Sequence, residues 1–322
     1  MILLFSDPKD GSTGVIIEWL SKSDETLLIL TPKVNNFIDI ATISGEKIIL
    51  NINDNEYNIT DIKAIYYRRS SKIISNVYLK KITTIKNSRI KSLSDYIEGN
   101  FNTTNELLNF YLKDKKTFGT EGIGRINKIL ALQIAKKVGL KTPETIITSS
   151  KKVLMEFYLK NNPIIIKSID IGYRYEDNKY WHVSYTNIIS PKEIKNIPAE
   201  FPLSLFQKKI EKYFEIRCFY FHDNFYSTAI FSQNNPKTNV DYRRYDFEFP
   251  NRQVPYILPD NIIYKLKLLF KLLRLNTGSI DIIFTGLDYY FLEINPVGQF
   301  ENVSLFGNWY IERNIADYLL HD

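Results

Sequence analysis

The pattern of apolar and polar positions is clearest near the C-terminal end, where it predicts a β-hairpin. Residues 279–284 and 289–296 are short runs rich in β-branched and aromatic side chains, as is typical of strands. Thr285-Gly-Leu-Asp288 lies between the runs and has the composition of a turn. The two strands are therefore expected to pair.

Elsewhere the chain alternates short apolar runs with stretches of helical periodicity, which predicts a mixed α/β (α+β) fold. Residues 303–309 are expected to be irregular, and the glycines of residues 117–124 indicate a linker. Strands are predicted at 1–5, 27–31, 47–52, 65–68, 146–148, 163–167, 205–210 and 211–217, and helices at 15–20, 93–112, 125–138, 262–275 and 310–320.

Three polar side chains interrupt the apolar hairpin: Asp281, Glu293 and Asn295. Glu293 and Asn295 share a strand face because side chains alternate with a period of two. Asp281 joins that face if it pairs opposite Glu293, which requires a loop of about three or five residues. Two carboxylates and an amide oxygen in apolar surroundings favour a cation, and an all-oxygen set with few protein ligands suits Mg²⁺.

Composition and charge narrow the protein class. The 322 residues, 44% hydrophobic and 24% charged, suit a globular protein of two or three compact units. No apolar run approaches the roughly 20 residues that span a bilayer, and the first residues lack the features of a signal peptide. The single cysteine, Cys218, fits the cytosol and is expected to be a core residue. The net charge of +6 comes from dispersed lysines, so an acidic substrate explains it better than nucleic acid.

The hairpin residues, together with Gly298-Gln299-Phe300, resemble the metal-binding end of an ATP-grasp ligase. The longer string from Gly278 to Gln299 is similar to the graspetide synthetases of the microviridin and grasp-with-spasm type, which cyclise ribosomal peptides. This resemblance implies an N-terminal pre-ATP-grasp α/β domain at residues 1–118, a central subdomain at 119–205 and a C-terminal subdomain at 206–322. The two subdomains are expected to clasp ATP.

The resemblance also implies roles for single residues. Arg217 and Arg243 are expected to face the phosphates and the substrate, with Arg243 neutralising the transferred phosphoryl group. Arg68 and Arg69 lie at the end of an apolar strand, and Arg174 ends the loop of residues 168–174, which has one glycine, Gly172. All three arginines are candidates for substrate binding, although a solvated strand end also explains the first two. Nucleotide binding is expected from Lys128, Lys167, Gln207, Lys208, Lys209, Ile210 and Glu215, and metal binding from Asp281, Glu293 and Asn295.

The implied activity is ATP-dependent macrocyclisation of a precursor peptide, made of a leader and a core, in the cytoplasm. An Asp or Glu side chain of the peptide is phosphorylated and then joined to a Thr or Ser hydroxyl or a Lys amine. Three alternatives stay open: a ligase that adds a free amino acid to a peptide or protein C-terminus, a non-catalytic peptide- or nucleotide-binding scaffold, and a nucleic-acid-binding protein. Related enzymes are often homodimers, and the sequence leaves the oligomeric state open.

Overall fold

The computed structural model describes residues 1–7, 10–30, 38–44, 47–52, 55–68, 88–170, 172, 174–177 and 180–321. These residues form two compact units. Unit 1 consists of Met1–Gly124 together with Tyr310–Asp322, and unit 2 consists of Arg125–Trp309. The predicted boundaries at residues 118 and 205 stay predictions.

The helices and strands follow one another in this order. From the N-terminus to the end of the first segment of unit 1 they are β1 (Ile2–Phe5), α1 (Gly11–Leu20), β2 (Leu27–Leu30), β3 (Ile38–Ser44), β4 (Lys47–Ile52), β5 (Asn55–Asn58), β6 (Ala64–Tyr67), α2 (Ser88–Leu112) and β7 (Lys116–Phe118). In unit 2 they are α3 (Lys128–Lys137), β8 (Thr145–Ser150), α4 (Lys151–Asn161), β9 (Ile164–Lys167), β10 (Arg174–Glu176), β11 (Trp181–Val183), β12 (Asn187–Ile188), α5 (Pro191–Asn196), β13 (Glu200–Lys208), β14 (Phe214–Phe221), β15 (Asn224–Phe231), β16 (Arg252–Tyr256), α6 (Asp260–Leu273), β17 (Thr277–Phe284), β18 (Tyr289–Asn295) and α7 (Glu301–Gly307). The last helix, α8 (Ile311–Leu320), belongs to unit 1.

Unit 1 is built on a parallel sheet with the strand order β2-β1-β6-β7. The strands β1 and β6 are buried along their whole length, as expected for apolar runs in the middle of a parallel sheet. A second, antiparallel sheet has the order β3-β4-β5. The helix α8 packs against α1 and contacts β6 and β7.

Unit 2 contains two antiparallel sheets that carry the candidate site. The four-stranded sheet has the order β12-β9-β13-β8, and the five-stranded sheet has the order β16-β15-β14-β17-β18. The helix α6 buries its apolar stripe, including Leu266, Leu269 and Phe270. The helix α3 contacts both α6 and β18, which fixes its N-terminus beside the hairpin.

The predicted hairpin forms, but its register is reached in a different way. The turn of residues 285–288 has four residues, with Phe284 paired to Tyr289, so the predicted odd-length loop is wrong. A β-bulge between Asp281 and Ile282 inserts Leu292 as an unpaired residue, and this brings Asp281 opposite Glu293. The bulge therefore supplies the extra residue that the prediction assigned to the loop.

The mixed α/β class is confirmed, and most predicted elements agree with the structure to within a few residues. The predicted helix at 125–138 begins at Lys128, because the side chain of Asn127 caps it by accepting from the N–H groups of Ile129 and Leu130. The prediction of an irregular segment at 303–309 is wrong, since α7 occupies most of it. Its buried face, with Val303 and Ser304, packs on β14, β15 and β16.

Candidate active site

A row of polar side chains crosses one face of the five-stranded sheet. Thr228, Arg217, Asp281 and Glu293 are successive cross-strand partners on β15, β14, β17 and β18. Arg217 donates through Nη1 to both carboxylate oxygens of Asp281, at 2.8 and 3.0 Å. Both side chains are only 14% exposed, so the ion pair lies in a largely dry environment where charges interact strongly.

Glu293 forms an ion pair with Lys128, whose Nζ lies 3.2 Å from Oε2. Lys128 is the first residue of α3, so the cap at Asn127 and the packing of α3 on β18 set the position of the ammonium group. Although burial favours the protonated acid, the ammonium groups of Lys128 and Lys167 hold the pKa of Glu293 at about 2. The carboxylate is therefore ionised at neutral pH.

The side chains predicted to bind a metal ion lie on one sheet face. Asn295 is the cross-strand partner of Ser279, two residues from the Asp281–Glu293 pair. Its Oδ1 accepts from the N–H of Val297 at 3.1 Å, and an amide oxygen keeps a second lone pair for a cation. Among the described residues, no three His, Cys, Asp or Glu side chains form a metal-binding group. Two carboxylates and one amide oxygen nevertheless fit Mg²⁺, which completes its shell with water and phosphate oxygens.

A cavity between the four-stranded and five-stranded sheets of unit 2, which we call the inter-sheet cavity, brings the predicted nucleotide-binding residues together. Burial lowers the pKa of Lys167, which ends β9 in the cavity wall. The aliphatic side chains of Ile165, Ile283 and Leu292 give the cavity an apolar wall. Lining residues from the prediction are Lys128, Lys167, Gln207, Lys208, Lys209, Ile210, Glu215, Arg243, Asp281 and Glu293.

Gln207 provides a test of whether this cavity fits a nucleotide. Its Nε2 donates to Thr145 Oγ1 at 3.0 Å, which fixes the side-chain amide. Its Oε1 is buried in the wall and has no hydrogen-bond partner among the described residues. A buried acceptor without a partner is costly, and a ligand that donates an N–H, such as the amino group of adenine, would satisfy it.

Glu215 belongs to a buried network that the sequence reasoning only partly identified. Its Oε1 accepts from Ser232 Oγ at 2.9 Å and lies 2.5 Å from Lys212 Nζ. Burial raises the pKa of Glu215, although Lys212 and Ser232 oppose the shift. Lys212 lines the inter-sheet cavity with an almost completely buried side chain. No sequence signal distinguished it in a lysine-rich chain, and only its burial does so.

The loop after β15 positions Arg243. Asp241 accepts from Arg243 Nε at 2.8 Å and Nη2 at 2.6 Å. It also accepts from the backbone N–H of Thr186, at 3.1 Å, in the segment that leads into β12. Burial favours the protonated acid, but the hydrogen bonds and charge of Arg243 lower the pKa of Asp241 to about 2. Asp241 therefore holds the guanidinium and joins the two sheets of unit 2 beside the cavity.

A second cavity of about 520 Å³, which we call the substrate cavity, also adjoins the charged row. Arg217, Asn295, Tyr245 and Glu301 contribute to its wall. Tyr242, Arg243, Asp281 and Glu293 line both cavities. The two spaces thus meet at a guanidinium and two carboxylates, which is suitable for transfer of a group between two bound molecules.

The three arginines predicted to bind substrate lie in different parts of the chain, and the structure describes only one of their side chains. Arg68 is buried in unit 1, where Nε lies 3.2 Å from Asp10 Oδ1 and Nη2 donates to Ser12 Oγ at 2.5 Å. It therefore holds the N-terminus of α1, which excludes the alternative of a solvated strand end, and its role in substrate binding stays a prediction. Arg69 lies outside the described residues. Arg174 starts β10 and its backbone pairs with Val183, but its side chain is also outside the described part.

Comparison with known proteins gives structural matches only. No protein-family model matches the chain, and no curated protein sequence does. An ATP-grasp ligase from Chryseobacterium gregarium, associated with ribosomal peptide modification and bound to ADP and a leader and core peptide, matches with a TM-score of 0.79 and 22% identity; the match covers 99% of this chain and 96% of that one. The macrocyclase MdnC from Microcystis aeruginosa MRC, bound to the precursor peptide MdnA, matches with a TM-score of 0.72 and 22% identity over 100% and 99% of the chains.

A third similar structure is the ATP-grasp ligase PsnB, in complex with a phosphomimetic variant of its minimal precursor, Mg and ADP. It matches with a TM-score of 0.70 and 14% identity, over 99% of this chain and 97% of that one. All three matches extend over nearly the whole length of both chains, so they include both units. The predicted ATP-grasp fold is confirmed, and the chain has the fold of ATP-grasp ligases that act on ribosomal peptides.

Proposed function

We propose that the protein is an ATP-dependent peptide macrocyclase. It would join Asp or Glu side chains of a ribosomal precursor peptide to Thr or Ser hydroxyls or Lys amines of the same peptide. The observation that carries this proposal is the meeting of two cavities at Arg243, Asp281 and Glu293. The inter-sheet cavity suits ATP, and the substrate cavity leaves room for a peptide side chain beside the same carboxylates.

The reaction proceeds in two balanced steps. A carboxylate oxygen of the peptide attacks the γ-phosphorus of ATP while the bond to the β,γ-bridging oxygen breaks, giving an acyl phosphate and ADP. The hydroxyl or amine then attacks the acyl carbon, phosphate leaves, and the nucleophile loses its proton. The sum is one ester or amide bond for one ATP, with a loss of one water from the peptide. Positioning and charge stabilisation supply most of the catalysis in such phosphoryl transfers.

Different residues of the inter-sheet cavity bind the base and the phosphates of ATP. Gln207 Oε1 accepts from the adenine amino group, and Lys208, Lys209 and Ile210 flank the base. Lys128 and Lys167 are compact cations suited to phosphate oxygens. We assign no separate contact with the nucleotide to Glu215; its ion pair holds Lys212 in the cavity wall.

Asp281, Glu293 and Asn295 would hold Mg²⁺. When bound, Mg²⁺ neutralises phosphate charge and orients the transferred group. Arg217 and Lys128 form ion pairs with Asp281 and Glu293, and these cations hold the two carboxylates in place.

Arg217 and Arg243 are assigned to the substrate side. Arg243 is held by Asp241 and lines both cavities, so its guanidinium can contact charge that develops on the transferred phosphoryl group. Arg217 lines the substrate cavity and can bind the acceptor carboxylate. Because the nucleophile belongs to the peptide, the same geometry serves an ester product from a hydroxyl and an amide product from an amine.

The proposal includes a location and partners. The precursor peptide, with a leader and a core, would be modified in the cytoplasm, where it is synthesised and where ATP is available. Among the described residues, no helix has the length and hydropathy needed to cross a membrane. A homodimer is the oligomeric state that the resemblance favours, and sedimentation of the purified protein tests it.

The proposal is tested by incubating the protein with ATP, Mg²⁺ and the small peptide encoded beside its gene, and measuring the intact mass of the peptide. Loss of one water per bond, matched by ADP release, is expected, and fragmentation then locates the rings. Glu293→Gln removes a carboxylate at nearly constant volume and should abolish the mass change. Glu312→Gln, on α8 in unit 1, is the matched control. A gain of amino-acid mass would identify a C-terminal ligase, and an unchanged peptide without ADP would refute both activities.

A further inference from the structure

The loop after Arg243 reverses the usual burial of apolar and charged side chains. Tyr245, Phe247 and Phe249 are 47%, 87% and 71% exposed, whereas Asp246 between them is 5% exposed. We call residues 245–249 the aromatic loop. Exposure of three aromatic side chains within five residues leaves a large apolar area in water, and such patches often mark binding sites.

Asp246 fixes the loop in this conformation. Its Oδ2 accepts from Asn235 Nδ2 at 3.0 Å, and its Oδ1 lies 3.1 Å from Lys237 Nζ. Oδ1 also accepts from the backbone N–H groups of Glu248 and Phe249, at 3.2 and 3.4 Å. The backbone that carries the rings is thus held from both sides of the loop, so little ordering is needed when a partner binds.

The aromatic loop continues directly from the substrate cavity. Tyr245 lines that cavity, and its ring packs edge-on against the ring of Phe247 at 4.9 Å. Arg243, two residues before Tyr245, lines the cavity as well. An extended peptide advances about 3.3 Å per residue, so a chain with its carboxylate at the arginines reaches the loop within a few residues.

We propose that the aromatic loop binds apolar side chains of the precursor peptide that flank its acceptor carboxylate. This inference rests on the proposed function. Its occupant is an acidic peptide with at least one large apolar residue close to the Asp or Glu that reacts. The arginines of the cavity bind the carboxylate, and the rings shield the neighbouring apolar side chain from water. The loop thereby selects which acidic residue of a peptide enters the cavity.

The test measures binding and product formation separately. Binding of the fluorescently labelled precursor peptide is followed by anisotropy for wild type, Phe247→Ser and Phe249→Ser. Leu287→Ser is the matched control, because Leu287 is 90% exposed in the β17–β18 turn of the same sheet. The Kd for the peptide is expected to rise about tenfold for each ring lost. The Kd for ADP should stay unchanged in all four proteins.

A second peptide has the apolar residues next to its acidic residues changed to Ser. The two peptides and the loop variants together form a double-mutant cycle, which measures the coupling between the aromatic loop and those apolar residues. For the second peptide the loop variants and wild type should bind equally. The inference is overturned if the loop variants bind the original peptide with the same Kd as Leu287→Ser, or if the double-mutant cycle shows no coupling. It is also overturned if the only effect of the loop substitutions is on self-association in sedimentation. Water loss is recorded in parallel, so a wild type that binds through the loop without dehydrating the peptide refutes the proposed function alone.

Discussion

The buried carboxylate of Asp241 should contribute strongly to stability at neutral pH, and Asp241→Asn tests this. The side chain is 4% exposed, and its pKa lies at about 2 instead of the ordinary 3.8. A carboxyl group whose pKa is lower in the folded than in the unfolded state stabilises the protein at pH values above the unfolded-state pKa. This stabilisation is lost as the pH falls through the folded-state pKa. A shift of about 2 units corresponds to roughly 2.5 kcal/mol.

Urea titrations at pH 7 should therefore show a free energy of unfolding about 2 kcal/mol lower for Asp241→Asn than for wild type. Asn can still accept from the N–H of Thr186, but it cannot neutralise Arg243. At pH 3 the difference in the free energy of unfolding between wild type and Asp241→Asn should be roughly half as large, because the carboxyl group is then mostly protonated in the unfolded wild-type chain. The rate of phosphoryl transfer should fall as well, because Arg243 is no longer held at the cavity.

Asp317→Asn is the control, because Asp317 forms an exposed helical pair with Arg313. Such a pair contributes well under about 1 kcal/mol, and the control should lose little stability at any pH. An equal loss for Asp241→Asn at pH 7 and pH 3 would refute the electrostatic reasoning. A loss no larger than that of Asp317→Asn would show that Asp241 does not anchor the loop.

Four further results are expected. Asp281→Asn should abolish Mg²⁺-dependent ATP turnover while leaving the circular dichroism spectrum unchanged, since one of two carboxylates in the metal site is lost. Gln207→Leu should weaken ADP binding about tenfold in calorimetry, because the adenine amino group would lose its proposed acceptor, Gln207 Oε1. Arg68→Met should lower the free energy of unfolding by about 3 kcal/mol, because it removes the guanidinium that pairs with the buried Asp10 carboxylate. Cys218 should resist thiol reagents below pH 9 in the folded protein, because burial raises its pKa to about 12.

Each of these expectations has a contrary outcome. Undiminished turnover in Asp281→Asn would remove that residue from the metal site, and unchanged ADP affinity in Gln207→Leu would place adenine elsewhere. Weaker peptide binding by Arg68→Met at full stability would contradict a purely structural role and support its predicted role in substrate binding. Rapid modification of Cys218 without unfolding would show that β14 opens to solvent.

The sequence predicted those parts of the site that depend on residue type and strand period. Glu293 and Asn295 share a face because they lie two residues apart, and Lys167 ends an apolar run, so both features can be inferred from local pattern. The pairing of Asp281 with Glu293 was predicted for the wrong reason. A bulge at Leu292 depends on packing across strands, and no residue in the hairpin signals it in advance.

Long-range partners were beyond prediction for the same reason. Arg68 faces Asp10 across 58 positions, and Asp241 accepts from Thr186 across 55, so neither pairing follows from local composition. The unpaired oxygen of Gln207 becomes visible only when the burial of its surroundings is known. The helix α7 was missed because its short, mixed sequence has weak periodicity and is stabilised by packing on the sheet.

The arrangement of unit 1 has a consequence for the order in which the protein matures during translation. Unit 2 is one continuous segment, but unit 1 combines residues 1–124 with a helix that is translated after unit 2. Ile311, Ile315, Ala316 and Leu319 of that helix are buried, and Tyr318 Oη donates to the carbonyl of Thr117 at 3.5 Å. Part of unit 1 is therefore translated before unit 2 and part after it, and a ribosome-bound chain that lacks α8 should expose apolar surface to chaperones.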